Sequence, residues 1–350
     1  MQALLLVAAL GLATAAPHGW TSSPRPRNSD ETLSVRVALM QPRVAELERV
    51  LSKVSDPRSA EYGKYLTSDQ VAELVSLPAE TQSLVTHHLG CGAELVSCEL
   101  SVHRDYVLVH TTVARAEVMF NVTLAPFERT LNGTLGSQRI YRSMTPPVLA
   151  RTIAPFVDFV LGISDFPPPP LHRMRSTRVA GTPGDKVDPS VLKKQYGISV
   201  TGSASTSVSC AEFEHEQFKQ SDIDDFADTF SLPRQTINVV GPNNGGYEGE
   251  GTLDVEYLIG TAPGLNVTFW SIPWKTFDAD LLTWAQAVQS VPHPPLVHSI
   301  SWGSGETGSA SYDLPVLVRT NTEFQKMGVQ VYPRGTVIHD GPHGYPFSTV

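Results

Sequence analysis

Tyr247-Glu248-Gly249-Glu250-Gly251-Thr252-Leu253-Asp254-Val255-Glu256-Tyr257-Leu258 follows a turn rich in glycine and asparagine, Gly241 to Gly246. Leu253, Tyr257 and Leu258 recur at helical spacing, which predicts a helix that begins near Glu250. Around it the pattern alternates, with strands at 207–213, 236–240, 266–271, 296–301 and 328–332 and helices near 220–230, 250–260, 278–290 and 311–327. Alternation with short connections predicts an α/β unit, a parallel sheet covered by helices on both faces. Functional residues of such a sheet gather at the carboxyl ends of its strands, where helices start.

Glu250 and Asp254 share one face of the predicted helix. Residues four apart have Cβ atoms about 5–6 Å from each other, close enough for two carboxyl groups to share a proton or pass one on. Acidic residues are also favoured in a first turn by the helix dipole, and most such pairs are simply solvated. Spacing by itself does not choose between these readings.

The 350 residues are long enough for two domains, and 41% hydrophobic with 17% charged residues is ordinary for a globular chain. A formal charge of −9 argues against nucleic acid and against an anionic membrane surface as partners. Leu4 to Leu12 is a short apolar core, and Ala13-Thr14-Ala15 supplies small residues before a cut, so residues 1–16 read as a secretory signal too short to span a bilayer. Three glycosylation sequons, at Asn121, Asn132 and Asn266, fit the same route.

The cysteines are three, Cys91, Cys98 and Cys210, too few to staple the fold. Cys91 and Cys98 can close a small bridge if the loop between them folds back, and the pairing stays open. Cys210 lies in a run that reads as a buried strand, with no basic or histidine-rich neighbourhood to make it a nucleophile. Adjacent His87 and His88 point in different directions on a helix and make a poor metal pair, so no metal ligands are expected.

Residues 17–31 read as an exposed lead-in. A strand from Leu33 to Met40 precedes a helix from Val44 to Val54, and a helix capped at Thr67 opens helical periodicity that runs from Val71 to Leu89. Strands follow at Tyr106 to His110 and near Ile140, with a helix over Val113 to Phe120. This is an α+β unit over 17–165. Pro167 to Pro170 and Arg173, Arg175 and Arg178 then form an extended linker, 166–186.

Two stretches carry a resemblance. Gly249 to Leu258 resembles the acidic helix of the sedolisin family of serine-carboxyl peptidases. Ser55-Asp56-Pro57-Arg58-Ser59-Ala60-Glu61-Tyr62-Gly63-Lys64-Tyr65-Leu66-Thr67 is similar to the "SDP-x-S-x-x-YGKYLT" signature of that family's propeptides. The resemblance implies a ferredoxin-like activation prodomain, a processing site between Arg178 and Lys186, and over 187–350 the N-terminal part of a subtilisin-like peptidase sheet. It assigns Glu250 as general base toward a serine, with Asp254 to orient and buffer it. A carboxylate suits acid, where a histidine already carries its proton.

By the same resemblance the backbone of Ser301, Trp302 and Gly303 pairs with an extended peptide as an added strand. Cys98 matches one half of a prodomain disulfide whose other half falls near Val109. Calcium is the family's cofactor, bound in a far C-terminal segment with no counterpart here. The oxyanion Asp of "SGDSG" and the nucleophilic Ser of "GTSASTP" have no match in the 350 residues either, and Asp340 comes too late and in the wrong context. The implied function is a lysosomal zymogen that releases tripeptides from free N-termini of peptides at acid pH. Its partners are then peptide or protein substrates and its own prodomain. The alternative is a truncated, non-catalytic product that at most binds or inhibits a full-length homologue.

Overall fold

The computed structural model describes residues 16–130, 137–167, 187–199, 202–203, 205–213, 216–244, 249–272, 277–295, 297–301, 313–330 and 337–338. The first unit is built on a four-stranded antiparallel sheet of order β3-β4-β2-β7, made from β2 (Thr32–Leu39), β3 (Ser97–Leu100), β4 (Tyr106–Thr112) and β7 (Val157–Leu161). Strand side chains alternate between faces. Val35, Val37 and Leu39 with Val107 and Val109 therefore meet helices α3 (Ala79–His88) and α4 (Val113–Phe120), through Val85, Val113, Ala116 and Phe120. A small sheet of β1 (Thr21–Ser22), β5 (Ala125–Thr130) and β6 (Ser137–Arg142) flanks this layer. The order and the two packed helices are those of a ferredoxin-like fold.

Helix α1 spans Val44–Val54, and α2 spans Ser68–Val75 behind a capping box of Thr67 and Gln70. The helical periodicity expected to run on to Leu89 is broken: Ser76 leaves α2 extended and Pro78 precedes the first residue of α3. Proline disfavours a helical residue before it and cannot donate, so the chain turns there. Cys91 and Cys98 form a disulfide. Cys98 stands opposite Val109 in the β3–β4 register, the position the resemblance pointed to, yet its sulfur reaches Cys91 across the 90–96 turn.

The second unit is a five-stranded parallel sheet of order β12-β11-β8-β10-β9, from β8 (Ser207–Glu212), β9 (Asn238–Val240), β10 (Asn266–Ser271), β11 (Val297–Ser299) and β12 (Val337–Ile338). Helix α5 (Pro189–Tyr196) opens it, capped by Asp188. One face carries Val208, Cys210, Val267 and Phe269 against α6 (Gln220–Thr229) and α7 (Glu250–Thr261). The other carries Ala211, Phe213, Trp270 and Ile272 against α8 (Phe277–Gln289) and α9 (Asp313–Val329). The strand expected at 328–332 is not formed at its start. Helix α9 continues through Val329 because Met327 packs under the sheet and Val329 enters the α1–α2 cluster, and Gln330 makes one bridge to Leu66.

The two units share an interface. The face of the antiparallel sheet opposite α3 and α4 places Ala38 and Tyr106 against Leu282 of α8 and Val316 of α9. Arg36 donates to Thr283 at 3.0 Å, Arg319 to the Leu39 carbonyl, and Leu66 N–H to Val329 O at 2.7 Å. Lys326 lies between Asp105 at 2.8 Å and Glu323 at 2.6 Å, with all three side chains buried. Gln41 and Ser101 also donate to Asp105, and Gln289 donates to Glu323.

Candidate active site

Helix α7 begins at Glu250, as its apolar spacing predicts, but Gly249 at its N-cap offers no side chain to the free N–H groups of the first turn. A buried carboxylate from elsewhere fills that place. Glu216, in the connection between β8 and α6, accepts from the N–H of Gly249 at 3.1 Å, of Glu250 at 3.0 Å and of Gly251 at 3.3 Å, all on one oxygen. Helix N-termini favour such an anion. The neighbouring residues complete the clasp: Gln217 accepts from Asn244 N–H at 2.9 Å and Asn243 accepts from Phe218 N–H at 3.2 Å. Gly251 is needed for this approach, since a Cβ there would lie 2.8 Å from the Gln217 carbonyl.

Below the clasp, Val255 and Ile259 anchor the helix against Phe218, Ile223 and Phe269. Each such side chain contributes about 1.5–3 kcal/mol on full burial. The opposite side of α7 carries the predicted pair, Glu250 with Asp254 one turn on. Ser301, just past β11, donates its hydroxyl to Asp254 at 2.6 Å, so the structure brings three of the sequence-predicted residues together across two elements. Trp302 and Gly303 lie outside the described residues, as do Asn132, residues 1–15 and 168–186, and Asp340.

Burial, then the charges of Asp254 and Glu216, push the Glu250 carboxyl up to about 7. Glu216 is itself raised, chiefly by burial, against the pull of its three backbone donors. The Cys210 thiol under the site is pushed well up by burial and by Glu212 and Asp254, which keeps it protonated and unreactive. His298 is no partner to Glu250. Its Nδ1 and the Ser209 hydroxyl are 2.6 Å apart, its ring stands edge-on to Trp284, and burial holds it down at about 4.

Asn121 ends α4 in the left-handed conformation and is exposed, and Asn266 is exposed at the start of β10, where it accepts from Asn238 at 2.5 Å. Among the described residues no group of three or more His, Cys, Asp or Glu gathers that could hold a metal ion. Among the same residues no helix is long and apolar enough to cross a membrane. The site residue missed by sequence reasoning is Glu216: a single Glu in a loop, capping a helix 35 residues on, leaves no local pattern to find.

Residues 18–166 match the family model of the Pro-kumamolisin activation domain. The chain is 33% identical to tripeptidyl-peptidase 1 of Canis lupus familiaris and 32% identical to that of Homo sapiens, in each case over 89% of this chain and 56% of the relative. A solved Pseudomonas sedolisin, a serine-carboxyl proteinase, aligns at 18% identity and a TM-score of 0.32 over 43% of this chain and 42% of its own. Residues 18–166 therefore carry an activation domain of the Pro-kumamolisin kind. Along most of its own length the chain is similar to tripeptidyl-peptidase 1, of which it spans a little over half.

Proposed function

We propose that the protein is the N-terminal portion of a serine-carboxyl peptidase zymogen of the lysosome, reached through the secretory pathway, that takes tripeptides from free N-termini in acid. The observation that carries this reading is the Glu250, Asp254 and Ser301 cluster at the carboxyl ends of the parallel strands, joined to an activation domain. In this reading Glu250 takes the proton from a nucleophilic serine and returns it to the leaving amine, while Asp254, held by Ser301, orients it. Burial and two neighbouring carboxylates raise the proton affinity of Glu250, so in acid it acts as a base from its minority ionised form.

The test is tripeptide release at acid pH from a peptide with a free N-terminus, by the protein extended to the length of its relatives. Loss of release in Glu250→Gln, in a protein that still folds and is processed, supports the assignment. Undiminished release rejects Glu250 as the base.

A second reading is favoured by one observation, that the 350 residues contain neither a "GTSASTP" nor an "SGDSG" stretch. On it, the chain as it stands is a non-catalytic product that binds or inhibits a full-length homologue. Tripeptide release above background by the purified chain alone would exclude it, whereas inhibition of a full-length homologue would favour it.

A further inference from the structure

We propose that Glu216 is a positioning residue of this site: its carboxylate fixes the first turn of α7 and so the place of Glu250, and its charge sets the acidity at which Glu250 gives up its proton. The inference rests on the reading of Glu250 as the base. Three geometric facts carry it. Glu216 is only 6% exposed, although carboxylates are seldom buried without a partner. One of its oxygens gathers three consecutive N–H groups, and the middle one belongs to Glu250 itself. Gly251, whose missing side chain lets the 216–218 segment approach, shows that the contact is built into the backbone of both segments.

The groups around Glu250 and its helix can be assigned element by element. From α7 itself comes Asp254, and from the β8–α6 connection comes Glu216. From β8, Glu212 and Cys210 lie toward Asp254, and from β11 Ser301 donates to it. Helix α6 offers Asp222 to Glu256, and the segment before α5 offers Asp188 and the Val187 carbonyl to Tyr257. Among these, Asp254 and Glu216, both acidic, are charged groups that act on Glu250. Glu216 and Glu250, one in the loop and one on the helix it caps, titrate as a coupled pair. The negative charge of Glu216 raises the proton affinity of Glu250, and an uncharged acceptor in its place lowers it.

The experiment follows the side-chain carboxyl carbons of Glu216 and Glu250 by carbon NMR as a function of pH in the full chain, with glutamate labelled. Each signal is assigned by its disappearance in Glu216→Gln or Glu250→Gln. The amide of Glu216→Gln can still accept from the three N–H groups, so a purely structural cap predicts an unchanged Glu250 midpoint. The proposal predicts that the midpoint falls by about one pH unit, a tenfold change in proton affinity. Glu250 takes its proton before Glu216 does, so Glu250→Gln leaves the Glu216 midpoint in place and serves for assignment. If Glu216→Gln fails to fold, the Glu250 midpoint is read in Glu216→Ser, whose hydroxyl oxygen also carries no charge and can accept from the N–H groups. A Glu250 midpoint that stays put overturns the proposal. Failure of the base assignment shows instead as peptide release by the extended Glu250→Gln protein, which leaves the titration result untouched.

Discussion

Lys326 of α9 and Asp105 of the β3–β4 turn meet at 2.8 Å, with exposures of 1% and 0%. Burial pushes the Asp105 carboxyl up, but Lys326 and Arg319 outweigh it and hold the group well below the usual carboxylate range. Breaking a buried pair outright, so that one charge is left uncompensated, costs about 3–5 kcal/mol. Asp105→Asn leaves Lys326 with Glu323 at 2.6 Å, so it is expected to destabilise the chain by less than that at neutral pH, as read from urea unfolding. An unfolding midpoint equal to that of the wild type would contradict it.

The same cluster responds to acid in two senses. Asp105 has a lowered carboxyl, so its contribution is complete above its ordinary pKa of about 4 and is lost only as pH falls through the depressed folded value. Glu323 is raised, by burial more than Lys326 offsets, so its contribution is complete below the ordinary value and is lost as pH rises through the folded one. Mild acid therefore protonates Glu323 first and leaves the Lys326–Asp105 pair in place. In Glu323→Gln the stability difference between pH 5 and pH 8 is expected to shrink, measured by thermal unfolding at the two values.

Glu250 obeys the second sense as well. Its folded carboxyl stands at about 7, so its contribution is present below the ordinary glutamate pKa and disappears as pH rises through 7. The group is half-exposed, which screens the effect and keeps it small. Glu250→Gln should flatten the decline of stability between pH 5 and pH 8 and leave the stability at pH 5 nearly unchanged.

Gly251→Ala tests the clasp by shape instead of charge. The added methyl would press on the Gln217 carbonyl at 2.8 Å, a backbone atom that cannot step aside. Overpacking of this kind costs about 1–3 kcal/mol, and the expected result is a lower melting temperature together with a shifted Glu250 titration. A stabilised protein, as an exposed helical Gly-to-Ala change gives, would show that the segments do not touch.

Cys98→Ser opens the bridge across a sequence separation of 7. Loop closure of that size is worth about 2–3 kcal/mol. The loss should fall on the N-terminal unit, seen as faster hydrogen exchange in β3 and β4 with the parallel sheet unaffected.

The sequence makes some of this legible and hides the rest for physical reasons. Helix α1 and the start of α7 were readable because one face of each meets a core and the other meets water, so periodicity survives in the letters. Strand β3, Ser-Cys-Glu-Leu, is an edge strand with little burial and carries no alternation to read. The end of α9 reads as a strand because Val329 and Val331 are β-branched and Gly328 is a poor helix former. Packing of Met327 and Val329 against two different cores outweighs that local preference. In the site, spacing puts Glu250 and Asp254 on one helix face without giving them a role, and it is the family resemblance that singles them out together with Ser301 at the end of a strand. Glu216 acts across the fold, and only coordinates show which helix it caps.

The seam between the activation domain and helices α8 and α9 is lined by Arg36, Asp105, Arg319, Glu323 and Lys326, beside one apolar patch around Ala38, Tyr106, Leu282 and Val316 and a second where Val329 enters the α1–α2 cluster. Severed, such a seam yields two wettable faces. Each half hands its ions to water, which solvates them and offsets part of the cost of baring the two apolar contacts. The joint that costs so much to damage on one side only is for that reason one that can be parted whole.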